Sequence, residues 1–336
     1  MNAQPQQVEK SVIAAFLNDT DWAGAEQIAM GADMGLRRYK RLEKNGRRAL
    51  FMDMSRSGIL ETGLKEYVEV GEYLKKIGIN TPEIYHYDLK SGLAVIEEVG
   101  QVSFGYQKNN GYNPPEIYQK ATDVLVQIKN QATENVLPLV GYKKTLIRER
   151  LRQFVDYYVP AVTDAVASPQ LVEDFETVLN DIALSLPSCP MGFCHADFHL
   201  ENLMWCPEKP GGYGLIDFQD AFWGFKGYDL LNLLEDARQT VPSEIKKAMK
   251  DRYCEGMDAQ DREIFEQWYA LMSIHFHCRV IGLFIKFARE KGGVQFLAHI
   301  PRLQGYITEN LKNPVLLPLK EWMESHSISF NINPKN

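Results

Sequence analysis

The sequence has few cysteines, no long apolar run and no excess of positive charge, and each absence excludes a class of protein. Its five cysteines are odd in number and scattered through 336 residues, which argues against a disulfide framework and favours a reducing cytoplasm. The most apolar stretch, residues 280–285, stops at Lys286 and is far too short to span a bilayer. With 37 basic and 44 acidic residues the formal charge is −7, which argues against nucleic acid or an anionic membrane as a partner. We therefore expect a soluble cytoplasmic protein, long enough for two lobes.

One short part of the chain carries most of the chemical information. Residues 195–202 read HADFHLEN, and residues 214–220 read GLIDFQD. An Asp, an Asn five residues later and a second Asp after a short apolar strand form the catalytic arrangement of kinase-like phosphotransferases. In that arrangement the first Asp (here Asp197) accepts a proton from the attacking hydroxyl, while the Asn and the second Asp (Asn202 and Asp217) hold magnesium. The pattern predicts phosphate transfer from a nucleotide to a hydroxyl.

The first hundred residues alternate between strand and helix patterns, in the order β-β-β-α-β-β after a first helix. The predicted strands include residues 36–42, 49–52, 84–87 and 93–96, and the predicted helices are residues 8–19 and 62–77. Asn45-Gly46 is a strong signal for a hairpin turn between the first two of these strands.

The rest of the chain is predicted to be mostly helical, apart from the catalytic segment at 192–220. Residues 97–100 have the sequence EEVG and are interpreted as a crossover between two lobes. Residues 106–115 are rich in Asn, Gly and Pro, which predicts a surface loop.

Several segments, taken in chain order, resemble the aminoglycoside phosphotransferase family. Within that family they are most similar to the bacterial branch of amino-sugar kinases, which phosphorylate N-acetylmuramate and N-acetylglucosamine. The similar segments are residues 31–42, 82–84, 97–100, 217–221, 228–238, 279–284 and 300–306. The catalytic segment is the most specific of them.

The resemblance implies an α+β, bilobal protein-kinase-like fold. A small N-terminal lobe, residues 1–98, would hold an antiparallel β-sheet with one helix and bind the nucleotide, and a larger, mostly helical C-terminal lobe, residues 99–336, would carry catalysis and substrate binding. The implied cofactors are ATP and Mg²⁺, and the implied partner is a small-molecule hydroxyl acceptor, best an N-acetylated amino sugar phosphorylated at its anomeric hydroxyl. The oligomeric state is left open.

The resemblance also implies roles for residues outside the metal-binding set. Glu97 and Val99 would lie at the hinge that binds the nucleotide, and Gly31 would let the backbone approach its phosphates. His195 and His199 would support the catalytic loop by hydrogen bonding.

Two further residues are predicted at the acceptor, and a third is predicted to have a structural role. Asp220, just past the metal-binding Asp, is expected to bind a substrate hydroxyl or amide, the alternative being that it braces the loop. Trp223, flanked by two Phe residues, is expected to stack on a sugar ring, although such aromatic clusters also form cores. Asp229 precedes an apolar helical run and is expected to cap that helix or anchor the loop before it.

One expected residue is missing. The strand at 49–54 should carry a lysine for the α- and β-phosphates, and it has Met52 and Asp53 instead. The glutamate that would pair with such a lysine is correspondingly open between Glu66 and Glu69. A cation from the neighbouring basic strand could replace the lysine, and among Arg37, Arg38, Lys40 and Arg41 we favour Arg38, the alternative being a solvated basic face.

Three function classes remain to be compared. A protein kinase is excluded because Ala196 and Gln219 replace residues of its signature, and because residues 218–228 are too few for an activation loop. A catalytically inactive pseudokinase is favoured by the missing lysine and opposed by the intact Asp197, Asn202 and Asp217. A small-molecule kinase is the main hypothesis, and the core motif by itself fits aminoglycoside, choline, homoserine or methylthioribose acceptors as well.

Overall fold

A computed structural model describes residues 10–30, 37–55, 63–134, 137, 151–163 and 166–331 of the chain. Its internal contacts divide the chain into two compact units. One unit contains residues 1–138 and 195–221, and the other contains residues 139–194 and 222–336. The catalytic segment thus packs with the N-terminal part of the chain, and the expected lobe boundary after residue 98 does not coincide with this division and stays a prediction.

The first unit is built on a five-stranded antiparallel sheet with the strand order β1-β2-β3-β5-β4. The strands are β1 (Glu26–Ala29), β2 (Arg38–Lys44), β3 (Arg47–Asp53), β4 (Ile84–Asp88) and β5 (Leu93–Ile96). The predicted hairpin at Asn45-Gly46 is confirmed: these two residues join β2 to β3 with φ angles of 52° and 73°. Positive φ at both positions matches the twist of a two-residue hairpin, which is why Asn-Gly is favoured there.

The strand register gives this sheet two chemically different faces. Because directly paired residues of antiparallel strands share a face, Leu42 lies beside Ala49, and Phe51 lies beside Val95. These four residues belong to a buried cluster with the first helix, α1 (Lys10–Asn18). The opposite face carries the alternate positions, among them Tyr39, Arg41, Leu50 and Met52.

The remaining helices of this unit are α2 (Leu64–Lys76), α3 (Phe104–Asn109) and α4 (Pro114–Gln131). The loop predicted for residues 106–115 is wrong over most of its length. Ser103 caps α3 by accepting a hydrogen bond from the backbone N–H of Tyr106 at 3.0 Å, and Phe104 is fully buried. The cap and the burial outweigh the weak helix propensity of the Asn and Gly residues, so only residues 110–113 separate the two helices.

Residues 195–221 complete the first unit. After a loop, a 3₁₀ turn (Leu200–Asn202) leads into β7 (Leu203–Trp205), which pairs with β8 (Tyr213–Leu215). These two strands form the hairpin between Asn202 and Asp217; β8 is buried throughout, and β7 is buried at Leu203 and half-buried at Met204 and Trp205.

The second unit is mostly helical. Its short strands β6 (Met191–Cys194) and β9 (Phe222–Phe225) pair antiparallel. Its helices are α5 (Val159–Val162), α6 (Pro169–Ser185), α7 (Tyr228–Leu234), α8 (Ser243–Tyr253), α9 (Ala259–Lys291), α10 (Ile300–Asn310) and α11 (Leu317–Ser325).

Helix α9 forms the centre of the second unit. Residues of α9 pack into one large apolar cluster with residues of α5, α6, α10 and α11. Within the described ranges, α9 alone has the length and apolar composition that could span a membrane, and 61% of its apolar stretch is buried inside the protein, as in a core helix.

Candidate active site

The loop before the 3₁₀ turn is organised by His195, which is fully buried. Its Nδ1 accepts a hydrogen bond from the backbone N–H of Asp197 at 3.3 Å, and its Nε2 lies 2.9 Å from the carbonyl oxygen of Ile216. A carbonyl can only accept, so the ring proton lies on Nε2. Burial lowers the pKa of His195, which favours the neutral ring that these two hydrogen bonds require. One side chain therefore ties the backbone of Asp197 to the residue preceding Asp217.

The carboxylate of Asp197 is exposed and has two polar side chains beside it. The Asn202 amide nitrogen donates to the Asp197 carbonyl at 2.8 Å and lies 3.4 Å from its Oδ2. His199 Nε2 lies 3.4 Å from the same Oδ2, while its Nδ1 accepts from the backbone N–H of Glu201 at 3.2 Å. The side chain of Asp197 is 60% exposed, as an acceptor that must meet a substrate hydroxyl requires.

Asp217 is held in an unusual backbone conformation. Its φ angle is 64° and that of Ala196 is 82°, in the left-handed region that residues other than Gly rarely adopt. The ring of Phe218, which follows Asp217, stacks on Tyr67 of α2 with 4.8 Å between ring centroids. The backbone at Asp217 is thus fixed by its neighbours, and strain of this kind is commonly found at functional sites.

Two side chains contact the Asp217 carboxylate. Gln219 Nε2 donates to Oδ1 at 3.1 Å and also donates to Asp220 Oδ2 at 3.0 Å, and the guanidinium of Arg37 forms an ion pair with the same Oδ1. Burial by itself lowers the pKa of Arg37, but the Asp217 carboxylate more than offsets this and raises it above its ordinary value. Sequence reasoning named Arg37 only as one of four basic candidates and gave Gln219 no role.

The oxygen atoms that remain suit a hard cation. Within the described residues, Asn202 Oδ1 and Asp217 Oδ2 have no hydrogen-bond partner, because the Asn202 amide nitrogen and Asp217 Oδ1 make the contacts given above. The backbone N–H of Ile216 donates to the Asn202 carbonyl at 3.1 Å, so Asp217, which follows Ile216, lies close to Asn202. Over the same ranges no three His, Cys, Asp or Glu side chains converge on one point. A cation held by this amide and this carboxylate would therefore take its other ligands from phosphate and water, as Mg²⁺ usually does.

The position of the missing lysine is filled without a cation. Met52 is fully buried, and Asp53 accepts hydrogen bonds from the backbone and hydroxyl of Ser55 at 3.0 and 2.6 Å. Neither candidate glutamate of α2 points to a cation of β3, because Glu66 caps its own helix through the N–H of Gly63 and Glu69 pairs with Lys65.

Arg38 lies on the sheet face that packs against α1. It pairs in register with Asp53, and its guanidinium contacts that carboxylate at 2.8 Å. The nucleotide-binding role expected for Arg38 stays a prediction. Gly31, also expected at the nucleotide phosphates, lies outside the described residues.

Glu97 and Val99, the residues expected at the hinge, both make well-defined contacts. Glu97 accepts from Lys209 Nζ at 2.8 Å and from the backbone N–H of Glu83 at 3.0 Å, so its side-chain carboxylate is engaged, and its expected role in binding the nucleotide stays a prediction. Val99 is buried against Gly214, where an added Cβ would lie only 2.0 Å from the Val99 side chain.

The remaining predicted residues lie in different settings. Asp220 is exposed and contacts Gln219. Trp223 of β9 is half-buried, and no partner among the described residues meets its buried indole N–H. Asp229 is buried in the first turn of α7, whose N-cap is Gly227, so the expectation that Asp229 itself caps the helix is wrong, although an acidic side chain in a first turn is favourable.

An antiparallel sheet packed with a loop that carries Asp197, Asn202 and Asp217 defines the class of kinase-like phosphotransferases. Comparison with known proteins agrees. The family model described as "Phosphotransferase enzyme family" matches residues 26–264, and the chain belongs to this family. It is a small-molecule kinase, and the predictions of a kinase-like fold and of this enzyme class are confirmed.

Curated relatives cover nearly the whole chain. An N-acetylmuramate/N-acetylglucosamine kinase of Caulobacter vibrioides is 28% identical over 93% of this chain and 95% of its own length. A protein of the same name from Pseudomonas aeruginosa is 27% identical over 90% of this chain and 88% of its own length. The resemblance to the amino-sugar kinase branch is thereby confirmed.

Solved structures share the fold at low identity. A microcompartment-associated aminopropanol kinase aligns with a TM-score of 0.61 at 12% identity, covering 96% of this chain and all of that one. LicA in complex with AMP aligns with a TM-score of 0.58 at 14% identity, covering 90% of this chain and 100% of that one.

Proposed function

We propose that this protein transfers the γ-phosphate of ATP to the anomeric hydroxyl of an N-acetylated amino sugar, in a reaction that requires Mg²⁺. The observation that carries the phosphotransferase chemistry is the hydrogen-bonded set of Asp197, Asn202 and His195, which the Ile216 backbone links to Asp217. The acceptor class rests on the relatives named as N-acetylmuramate/N-acetylglucosamine kinases. The nucleotide rests on the fold neighbour that contains AMP.

Asp197 would accept the proton of the sugar hydroxyl as the oxygen attacks the γ-phosphorus. Its carboxylate is exposed enough to reach a substrate, and the Asn202 amide and the His199 ring restrict its orientation. Because phosphoryl transfer passes through a loose transition state, a positioned acceptor suffices and a strong base is not needed.

Asn202 and Asp217 would hold the cation through their remaining oxygens. When bound, Mg²⁺ neutralises the charge that develops on the transferred phosphoryl group. The backbone at Glu97 and Val99 would bind the base, with Gly31 and Arg38 as the expected contacts to the phosphates. Neutral His195 would fix the backbone geometry, and buried Asp229 would support the second unit.

Asp220 and Trp223 are the proposed acceptor residues. Gln219 donates to the exposed Asp220 carboxylate, and this carboxylate would accept from a sugar hydroxyl or acetamido N–H. The half-buried ring of Trp223 would stack on a sugar.

The test is a coupled kinase assay with an acceptor panel. We expect turnover with N-acetylmuramate and N-acetylglucosamine, and little with kanamycin, choline or homoserine. Methyl N-acetylglucosaminide, in which the anomeric oxygen is blocked, should not be phosphorylated, and ³¹P NMR of the product should show an anomeric phosphate. Phosphorylation of the blocked glycoside would contradict the anomeric assignment, and preference for another acceptor would replace the proposed substrate.

Asp197→Asn separates this proposal from an inactive nucleotide-binding protein. The amide keeps the shape but accepts a proton poorly, so we expect turnover to fall by ~10²–10⁴-fold while the nucleotide Kd changes little. Asp261→Asn, the same replacement at an exposed position in α9, is the control and should retain wild-type turnover. Wild-type protein that binds ATP without transferring phosphate to any acceptor would favour the pseudokinase.

A further inference from the structure

The cation nearest to the predicted metal-binding carboxylate lies one residue before β2. Along β2, side chains alternate between the two faces of the sheet, and Arg38 falls on the face with Leu42 and Ala49. Arg37 lies in phase with Tyr39, on the opposite face, where its guanidinium forms the ion pair with Asp217. The adjacent residues Arg37 and Arg38 therefore lie on opposite faces of the sheet.

Arg37 is mostly buried, whereas Arg38 is not. The Arg37 side chain is 13% exposed and contacts Asp217, and the Arg38 side chain is 42% exposed and contacts Asp53. A buried guanidinium is strongly destabilising unless an anion accompanies it, because a removed hydration shell must be replaced by charge and hydrogen bonds. Arg37 therefore needs an anion beside it as long as it stays buried in this position.

That partner is Asp217, which is also a proposed ligand of the divalent cation. If Asp217 binds a divalent cation, the cation takes up most of the carboxylate charge that now balances Arg37. Arg37 and the cation would then repel each other across the same carboxylate. The terminal phosphates of a nucleotide are the anions that arrive together with the cation, and a planar guanidinium binds two phosphate oxygens at once.

We propose that Arg37 replaces the missing lysine: it pairs with Asp217 in the free protein and transfers to the nucleotide phosphates when Asp217 binds the divalent cation. The inference rests on the proposed function, since it needs a nucleotide and a cation at this site. It gives Arg37 two successive anions and makes cation binding and nucleotide binding depend on each other.

This exchange predicts opposite effects on the two ligands. In the wild type, a cation without nucleotide must displace Arg37 from Asp217 and leave it buried without an anion, so the cation alone should bind weakly. Arg37→Gln removes that opposition, so Mn²⁺ alone should bind several-fold more tightly. The same variant loses its phosphate contact, so ADP with Mg²⁺ should bind roughly ten- to a hundredfold more weakly.

The experiment measures both equilibria on the intact protein. Mn²⁺ binding is followed by electron paramagnetic resonance without nucleotide, and MgADP binding by titration calorimetry. Arg48→Gln is the matched control, because Arg48 also pairs with a carboxylate of the sheet, Glu43, at an exposed position. It should match the wild type in both measurements. Arg37→Lys, which keeps the charge without the fork, should recover part of the MgADP affinity.

The outcomes separate the inference from the proposed function. The exchange is supported if Arg37→Gln binds Mn²⁺ more tightly and MgADP more weakly than the wild type, while the control Arg48→Gln changes neither affinity. Unchanged MgADP affinity in folded Arg37→Gln, or a larger loss in Arg38→Gln, overturns it while the kinase proposal stands. If Arg37→Gln is unfolded by circular dichroism, Arg37→Lys decides: wild-type affinity for both ligands in that variant overturns the phosphate-fork role. Wild-type protein that binds no MgADP would contradict the proposed function itself.

Discussion

His195→Phe tests whether one buried ring organises the catalytic loop. The substitution keeps an aromatic side chain of similar size but removes both ring nitrogens. The carbonyl of Ile216 then loses its donor at 2.9 Å, and the N–H of Asp197 loses its acceptor at 3.3 Å. The first contact is the better hydrogen bond, so it should dominate the loss of stability.

The expected size follows from the cost of an unsatisfied buried polar group. One such group costs ~1–3 kcal/mol, so we expect His195→Phe to lower the free energy of unfolding by about 2 kcal/mol. In a chain of 336 residues, with an unfolding entropy of about 2.1 cal/mol/K per residue, that corresponds to a fall in Tm of about 3 °C. Turnover should fall as well, because Asp197 and Asp217 are both displaced from their positions.

Two polar variants separate the two hydrogen bonds. His195→Gln places an amide donor where Nε2 lies and should recover most of the Tm. His195→Asn places an oxygen where Nδ1 lies, so it should restore only the contact to Asp197 and remain close to the Phe variant. The measurement is thermal unfolding followed by circular dichroism, with His86→Phe as the control. The ring of His86 packs against Phe16 at an angle of 44°, with 5.2 Å between ring centroids, and its replacement by Phe should change Tm little.

Two results would refute the reasoning. A His195→Phe protein with wild-type Tm would mean that the Ile216 carbonyl finds another donor. Equal Tm values for the Gln and Asn variants would mean that the position of the donor is irrelevant.

Two further predictions concern the second unit. Burial raises the pKa of Glu235, but hydrogen bonds from His277 and Ser273 overcome this and lower it below its model-compound value of 4.5. A carboxyl group whose pKa is lower in the folded state stabilises the fold at pH values above its unfolded pKa, and this stabilisation is lost as the pH falls through its folded pKa. The difference in Tm between wild type and Glu235→Gln should therefore be largest near pH 7 and shrink below about pH 4. A difference that grows on acidification would contradict this direction. Gly282→Ala should destabilise the protein by ~1–3 kcal/mol, because the new Cβ would lie 2.2 Å from the Gln153 carbonyl oxygen and overpacking exceeds the gain of up to ~1 kcal/mol in helix propensity. A raised Tm would show that α9 and the backbone at Gln153 can move apart at no cost.

Local patterns predicted much of the first unit. Asn45-Gly46 predicted its hairpin because only residues that tolerate positive φ fit that turn. The helix at 62–77 and the strands at 84–87 and 93–96 were also predicted close to their observed bounds. The first of these strands alternates between half-buried and exposed residues, and the second is a short apolar run that is buried throughout. Helix α3 was missed because its cap, Ser103, and its buried Phe104 outweigh a composition typical of loops.

The sequence by itself determined the chemistry of this protein, because the spacing of Asp197, Asn202 and Asp217 around a short apolar hairpin is a local property of the chain. Tertiary structure alone decided which arginine lies beside the Asp217 carboxylate. Arg37 and Arg38 are adjacent and chemically identical, and only the register of β2 against β3 sends one to Asp217 and the other to Asp53. A side-chain period of two residues makes this choice depend on the pairing of strands, which no local pattern specifies.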